Sequence, residues 1–334
     1  MEIEAVLDGE PTSVITMDEE LVELLTRGGI SIEELDLGMM KKESRRDTPF
    51  MKLSTACEKL APRMSKEDKK TIPKKWEILG DLVLLPPGSF VGEEWAAIGP
   101  ALWGAVAASL RVKRVAMQAA IDKGPMRQSH AKLLLGEDGW VEHVQHGITY
   151  HIEVTKVMFS SGNVTERKRQ GAFQAEGEVV VDLFVGIGYF SVPILKQGKC
   201  KFLYACEWNP DSIECLNKNL VANGVADRCE VRQGDNREVA PIGVADRVLL
   251  GLIPTSEMSW ATGVKALKPT GGWMHVHENV QEGEEDTMGE RMCAALVAAA
   301  AALGQSLTAT VEHIEKVKPY SPRVNHLVYD VRLC

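Results

Sequence analysis

The chain lacks the spacing that cysteine-based frameworks need. Its seven cysteines stand at positions 57, 200, 206, 215, 229, 293 and 334, and no two are placed as C-x-x-C. An odd, scattered set excludes a disulfide frame or a cysteine zinc site and predicts reduced thiols. A long apolar run is also missing. The longest stretch, Cys293 to Leu303, is mostly alanine and too short to span a bilayer; Gly304 closes it as a helix C-cap would. The opening Met1-Glu-Ile-Glu-Ala-Val6 has no basic region ahead of an apolar core, so no secretory signal is expected and a cytoplasmic location is. Positive charge is not in excess either. The formal net charge of -9 argues against a generally basic nucleic-acid binder, although it leaves room for local basic surfaces.

What is present is a globular composition: 334 residues, 45% hydrophobic, with a mean hydropathy of -0.10. That length suits two domains, or one large domain with an extension. Basic residues concentrate locally. Lys59, Arg63, Lys66, Lys69, Lys70, Lys74 and Lys75 are opposed in their stretch only by Glu67 and Asp68, and Lys41, Lys42, Arg45 and Arg46 form a second group. Such segments are either a solvated helix face and linker or a phosphate-contacting surface.

The pattern divides the chain in three. Residues 1–70 mix acidic and basic blocks, with a short amphipathic stretch at Asp18 to Leu25, and predict a weakly ordered or helical extension. Residues 71–165 predict a small α+β domain. Within it Trp76 to Pro86 reads as a strand bent at Gly80, Trp95 to Val115 as one apolar helix, and the runs from Lys132, Trp140 and Ile148 as strands separated by glycine turns. Residues 166–334 alternate: strands at 179–183, 202–206, 229–233, 246–252 and 272–277, helices at 189–197, 210–222, 259–267 and 285–303. That rhythm predicts a parallel, Rossmann-like α/β sheet with right-handed crossovers. Leu307 to Glu315 and Val324 to Leu333 then form a hairpin at the sheet edge.

Chemistry gathers at the predicted strand ends. The run Val179-Val-Val-Asp182 feeds the turn Gly186-Ile-Gly188 and an apolar segment, the pattern of a buried strand turning tightly into a helix. Glu207 closes the second strand and Asp235-Asn236 the third. All three lie where open α/β sheets bind ligands. An acid after the second strand is suited to ribose hydroxyls; an acid after the third is suited to an adenine amino group, with the next backbone N–H on a ring nitrogen. A dinucleotide fingerprint needs a third glycine where Ser191 stands, so the set favours S-adenosylmethionine over NAD. The competing view is that Glu207 and Asp235 merely cap helices. The fourth strand ends in Gly251-Leu-Ile-Pro254, with no polar side chain before Thr255. Many amino-group methyltransferases hold their target nitrogen with an Asn or Asp before the proline, so this departure points to chemistry other than ordinary N-methylation.

These segments, together with Met158-Phe-Ser160-Ser-Gly-Asn163-Val-Thr-Glu-Arg167, His275-Val-His-Glu-Asn-Val280 and Val317-Lys-Pro-Tyr-Ser-Pro-Arg-Val-Asn-His326, resemble the eukaryotic wybutosine-synthesising tRNA aminocarboxypropyltransferases, relatives of the tRNA guanine-N1 methyltransferases. The likeness runs from about Trp76 to Cys334. It implies a class I methyltransferase-like fold with a smaller N-terminal domain. The implied activity transfers the 3-amino-3-carboxypropyl group of S-adenosylmethionine to C7 of 4-demethylwyosine in phenylalanine tRNA, with release of methylthioadenosine, by a cytoplasmic monomer that needs no metal and no membrane. The resemblance implies cofactor contacts from Ser160, Arg167, Glu207, Asp235 and Asn236; Asp182, Gly186 and Gly188 complete the cofactor set, and Pro254, Tyr320 and His326 are the candidate substrate contacts. The family often has lysine where Arg167 stands, and Lys168 is adjacent. No general base is assigned; His275, His277 and His326 are read first as structural histidines. Two other readings stay open: a tRNA guanine-N1 methyltransferase on the same fold, and a non-catalytic RNA-binding protein with a relic cofactor pocket.

Overall fold

The computed structural model describes residues 2–7, 10–16, 48–119, 129–159 and 161–334. The amphipathic stretch at Asp18 to Leu25, the basic group from Lys41 to Arg46, and Ser160 lie outside the described residues. The chain divides between Thr55 and Ala56. In the first unit, β1 (Glu2–Leu7) and β2 (Glu10–Thr16) pair as an antiparallel hairpin, with Ile3 opposite Ile15. This corrects the expected weakly ordered or helical start: the first residues alternate in the period of a strand. The division also falls earlier than residue 70, inside helix α1 (Pro49–Leu60).

The second unit begins with a small α+β part. A capping box, in which Ser65 and Asp68 satisfy each other's orphan amides, starts the short α2 (Lys66–Lys70). Strand β3 (Glu77–Leu79) turns at Gly80 into β4 (Leu82–Leu85). The expected single helix over 95–115 is instead two helices and a strand. α3 (Glu93–Ile98) stops at Gly99, Pro100 opens α4 (Pro100–Leu110), Arg111 caps its end, and Arg114 opens β5 (Arg114–Met117). Proline is tolerated at a helix start but not within one, which is why the break falls there. β6 (Lys132–Leu135) completes a sheet of order β3-β4-β5-β6. β7 (Trp140–Gln145) and β8 (Ile148–Glu153) form a separate hairpin.

Helix α5 (Val164–Gly171) leads into the main sheet. Its elements are β9 (Val179–Asp182), α6 (Ser191–Lys196), β10 (Phe202–Glu207), α7 (Pro210–Ala222), β11 (Cys229–Gln233), α8 (Asn236–Val239), β12 (Arg247–Leu250), α9 (Trp260–Ala266), β13 (Gly272–Gln281), α10 (Glu285–Ala302), β14 (Ala309–Ser321) and β15 (Val324–Leu333). The strand order is β11-β10-β9-β12-β13-β15-β14. β9 to β13 run parallel, and β15 inserts antiparallel between β13 and β14.

The order reverses between β9 and β12, so a crevice opens at their carboxyl ends. Two apolar layers flank the sheet. One, with Val181, Val248, Leu250 and Val276, lies under α9 and α10. The other joins Val180, Leu203, Ala205 and Leu249 to Leu79, Leu84, Val141, Tyr150 and Ile152 of the small part, so both parts share one core.

Candidate S-adenosylmethionine site

The turn after β9 is braced by buried polar groups that bond to one another and to its backbone. Asp182 is 1% exposed; it accepts from the Phe184 amide (3.0 Å) and the Ser191 hydroxyl (2.7 Å). Burial pushes its carboxyl up to about 6, against these hydrogen bonds. Its side chain therefore shapes the loop that carries the glycine turn. Ser191, read as a missing glycine, supplies the bracing hydroxyl. Gly186 and Gly188 take φ values of +56° and +93°. A Cβ on Gly188 would meet Val192 at 2.6 Å and Leu216 at 2.9 Å, so only glycine fits between α6 and α7.

Glu207, half-buried at the end of β10, gathers backbone donors: Gly186 N–H at 2.9 Å on one oxygen, Trp208 N–H (3.0 Å) and Asn209 N–H (2.9 Å) on the other. Burial raises its pKa despite these three bonds. The second-strand acid is thus locked to the glycine turn it was predicted to accompany. Trp208 beside it is 37% exposed. Asp235 caps α8 by accepting from the Arg237 amide at 2.9 Å, and the Arg237 side chain holds its carboxyl below the usual range. For Asn236 the expected contact is its backbone N–H. Its amide donates to Leu183 O (3.0 Å) and accepts from Ser259 (2.9 Å), so its side chain braces the turn and leaves only its backbone N–H for a ligand.

The far end of the turn meets a cation. Tyr189 donates its hydroxyl to Met158 O and lies 6.1 Å from the Phe159 ring. Arg167 is 2% exposed, stands over Phe159 at 5.0 Å, and donates to Gln145 Oε1 at 2.7 Å. Burial depresses its pKa, and its charge is felt by Tyr150 and Tyr189. Glu207 and Arg167 therefore bracket the turn, one at Gly186 and the other at Tyr189. A cradle with an acid at one end and a cation at the other fits a ligand with a ribose at one end and a carboxylate at the other.

Two asparagines went unnoticed in the sequence. Asn219 donates to Ile187 O in the turn (2.8 Å) and accepts from His151 N–H (2.5 Å); Asn223, one helical turn on, exchanges hydrogen bonds with both backbone groups of Thr149. The i, i+4 repeat of α7 matches the two-residue repeat of β8, which ties the small part to the glycine turn. A paired Asn-x-x-x-Asn on a helix was the available signal.

His275 is structural, as expected. Its Nδ1 lies 2.5 Å from Asp330 and its Nε2 2.5 Å from Arg247. Arginine only donates, so Nε2 is the acceptor and the Nδ1–H faces Asp330. Burial lowers its pKa to about 4, which keeps it neutral. Asp330 also takes Arg169 of α5 at 2.6 Å, and Arg169 pairs with Glu166 at 2.7 Å. Gly251 lies against Phe190, where an added Cβ would come to 3.1 Å. Pro254 follows a cis peptide, and its carbonyl accepts from Asn279 N–H at 2.8 Å. Tyr320 is 53% exposed at the tip of the β14–β15 hairpin.

Residues 57–139 match the TYW2 N-terminal domain and residues 141–305 the TRM5/TYW2 methyltransferase domain. A "tRNA wybutosine-synthesizing protein 2 homolog" of Danio rerio is 38% identical over 330 residues, covering 87% of this chain and 80% of that protein. The chain belongs to the tRNA wybutosine-synthesizing protein 2 family. A "tRNA wybutosine-synthesizing protein 2/3/4" of Arabidopsis thaliana is 51% identical over 261 residues, 78% of this chain but 26% of that protein. The chain thus spans about a quarter of that plant relative's length. The crystal structure of P. horikoshii TYW2 in complex with MeSAdo superposes with a TM-score of 0.68 at 30% identity, over 84% of this chain and 98% of that one. The family assignment and the Rossmann-like fold bear out the resemblance and the fold class read from the motifs. Among the described residues no helix is long and apolar enough to cross a membrane.

Proposed function

We propose that this chain transfers the 3-amino-3-carboxypropyl group of S-adenosylmethionine to C7 of 4-demethylwyosine in phenylalanine tRNA, releasing methylthioadenosine, and that it does so as a cytoplasmic monomer. The observation that carries this reading is the pair of opposite charges about one glycine turn: Glu207 on Gly186, and buried Arg167 over Phe159, whose ring lies 6.1 Å from Tyr189. Glu207 would hold the ribose, with Trp208 and Asp235 toward the adenine and the Asn236 N–H on its ring. Arg167 would hold the carboxylate of the arm. Ser160 is retained as a cofactor contact on the resemblance alone.

S-adenosylmethionine supplies a sulfonium with three electrophilic carbons, and orientation decides which one is attacked. The chain's task is to present the arm. A cation that fixes the arm's carboxylate orients its γ-carbon toward the acceptor. Overall one carbon–sulfur bond breaks, one carbon–carbon bond forms at C7, and the C7 proton leaves to solvent. Gly251 favours this outcome further, because it offers no side chain to grip a target nitrogen. Pro254, Tyr320 and His326 line the acceptor side of this reading.

The deciding experiment uses precursor tRNA with S-adenosylmethionine labelled in the carboxyl carbon or in the methyl. Carboxyl label should enter the tRNA and methyl label should leave as methylthioadenosine. Methyl label alone in the tRNA would replace this reading with guanine-N1 methylation. Absence of both labels, with no calorimetric binding of S-adenosylmethionine, would leave a non-catalytic RNA-binding protein.

A further inference from the structure

Three strands of the main sheet outrun the others. Val276 of β13 stands opposite Leu250, the last residue of β12, yet β13 continues to Gln281, where it pairs with Val324 of β15. At about 3.3 Å per residue this raises a wall roughly 16 Å tall beside the crevice. Strand alternation decides which side chains it shows. Met274, Val276 and Val280 face the α9–α10 layer, as do Leu327, Tyr329 and Val331 of β15. The opposite face therefore carries His275, His277 and Asn279 on β13, and His326, Val328 and Asp330 on β15.

Hydrogen bonding changes along this face. At its foot every buried group is matched: His275 with Asp330 and Arg247, and Asp330 with Arg169. Half-way up, His277 Nδ1 meets His326 Nε2 at 2.9 Å, and the Phe190 ring covers His277 at 4.9 Å. At the top, Asn279 and His326 stand directly opposite each other. Both amide atoms of Asn279 and the Nδ1 of His326 are buried without a hydrogen-bond partner among the described residues. An unmatched buried polar group is costly, so a cluster of three such atoms on one face is rare without a function. The Asn279 backbone is tied to Pro254 of the crevice loop. His326 is opposite Lys318 in the β14–β15 register, and Lys318 lies against Gly162 just before α5.

We propose that Asn279 and His326 form the hydrogen-bonding surface that reads the acceptor base, a role that rests on the transfer reaction proposed above. Asn279 offers a donor pair and an acceptor; His326 adds one more site, an acceptor when its Nε2–H donates to His277 and a donor in the reverse arrangement. Burial and the nearby Lys318 charge lower the His326 pKa to about 4, so the ring meets the base neutral. A heteroaromatic base edge carrying both donors and acceptors matches this set, and an apolar group does not. A base lacking those groups would leave the wall's buried atoms unmatched, which is the stronger form of discrimination.

The test compares the full-length wild type with Asn279→Leu, Asn279→Ala and His326→Phe. Leucine is close in size to asparagine and removes only the unmatched amide. Asn279→Leu is expected to raise the melting temperature by about 1–3 °C while lowering kcat/KM for precursor tRNA by about 10- to 100-fold. The dissociation constant for S-adenosylmethionine should stay within about twofold, because no cofactor contact is touched. Asn279→Ala covers the case in which leucine overpacks and fails to fold. A second readout is the wild-type preference for tRNA carrying the precursor base over tRNA carrying unmodified guanosine, which each variant should weaken. Lower melting temperature with unchanged kcat/KM would overturn the proposal and make both residues structural. Failure of the wild type to incorporate carboxyl label would instead overturn the parent reaction, and the base-reading role with it.

Discussion

At the scale of single residues, the carboxylates near the strand ends differ in their partners. Glu207 is held by backbone amides and Asp235 by an arginine, whereas among the described residues Glu278 accepts only from Thr255 Oγ1 (2.9 Å) and the Ser256 amide (3.1 Å). Burial pushes the Glu278 carboxyl up to about 7, from an ordinary value of 4.5. Between those values the folded chain keeps a proton that the unfolded chain has released. Its contribution to stability is therefore fully present below about pH 4.5 and declines as pH rises through about 7. Glu278→Gln retains one oxygen that accepts both hydrogen bonds and has no ionisation cost. Urea unfolding at pH 5 and pH 8 should show the variant gaining about 1–3 kcal/mol on the wild type between the two. An unchanged difference between the proteins at both pH values would mean that Glu278 is ionised at no cost in the fold.

At the scale of elements, the two-asparagine grip of α7 on β8 decides how firmly the glycine turn is held. Asn219→Ala strands Ile187 O and His151 N–H at once. It should lower stability by about 2–4 kcal/mol and weaken S-adenosylmethionine binding, with His151 N–H losing protection from hydrogen exchange. Unaltered exchange at His151 would show that the strand edge is held by packing alone. Much of this element level was legible. Asn209-Pro210 marks the start of α7 and Gly224 its stop, so 210–222 was readable to the residue. β13 was under-read by four residues because Glu278 and Asn279 interrupt the apolar rhythm. The 95–115 segment was over-read because apolar composition is continuous across the Gly99-Pro100 break. Asn236 and Asp182 were placed correctly at strand ends, yet their side chains turn inward. Sequence position gives the strand end; the partners Ser259, Leu183 and Ser191 that capture these side chains come from elsewhere in the fold.

At the scale of the whole molecule, the proposed reaction would bring a chain of net charge -9 to a polyanion. The basic stretch around α2 is the local exception, though it is partly neutralised: Lys69 pairs with Glu58 of α1 at 3.0 Å and Lys70 with Glu67 at 2.7 Å. Lys74 and Lys75 follow it and are exposed. Replacing Lys69, Lys70, Lys74 and Lys75 by glutamine should weaken tRNA binding and reduce the slope of log affinity against log salt by about 2–4. A slope equal to the wild type's would assign the stretch to solvation. The grip of α7 has one more consequence at this scale. A two-stranded hairpin ordinarily offers its outer edge to any extended chain that passes, and such edges seed aggregates. On β8 the N–H and C=O of Thr149 and the N–H of His151 are already taken by side-chain amides of a helix. A foreign strand finds no ladder to join there until α7 lifts, so the contact that steadies the turn also guards the protein against assembling with itself.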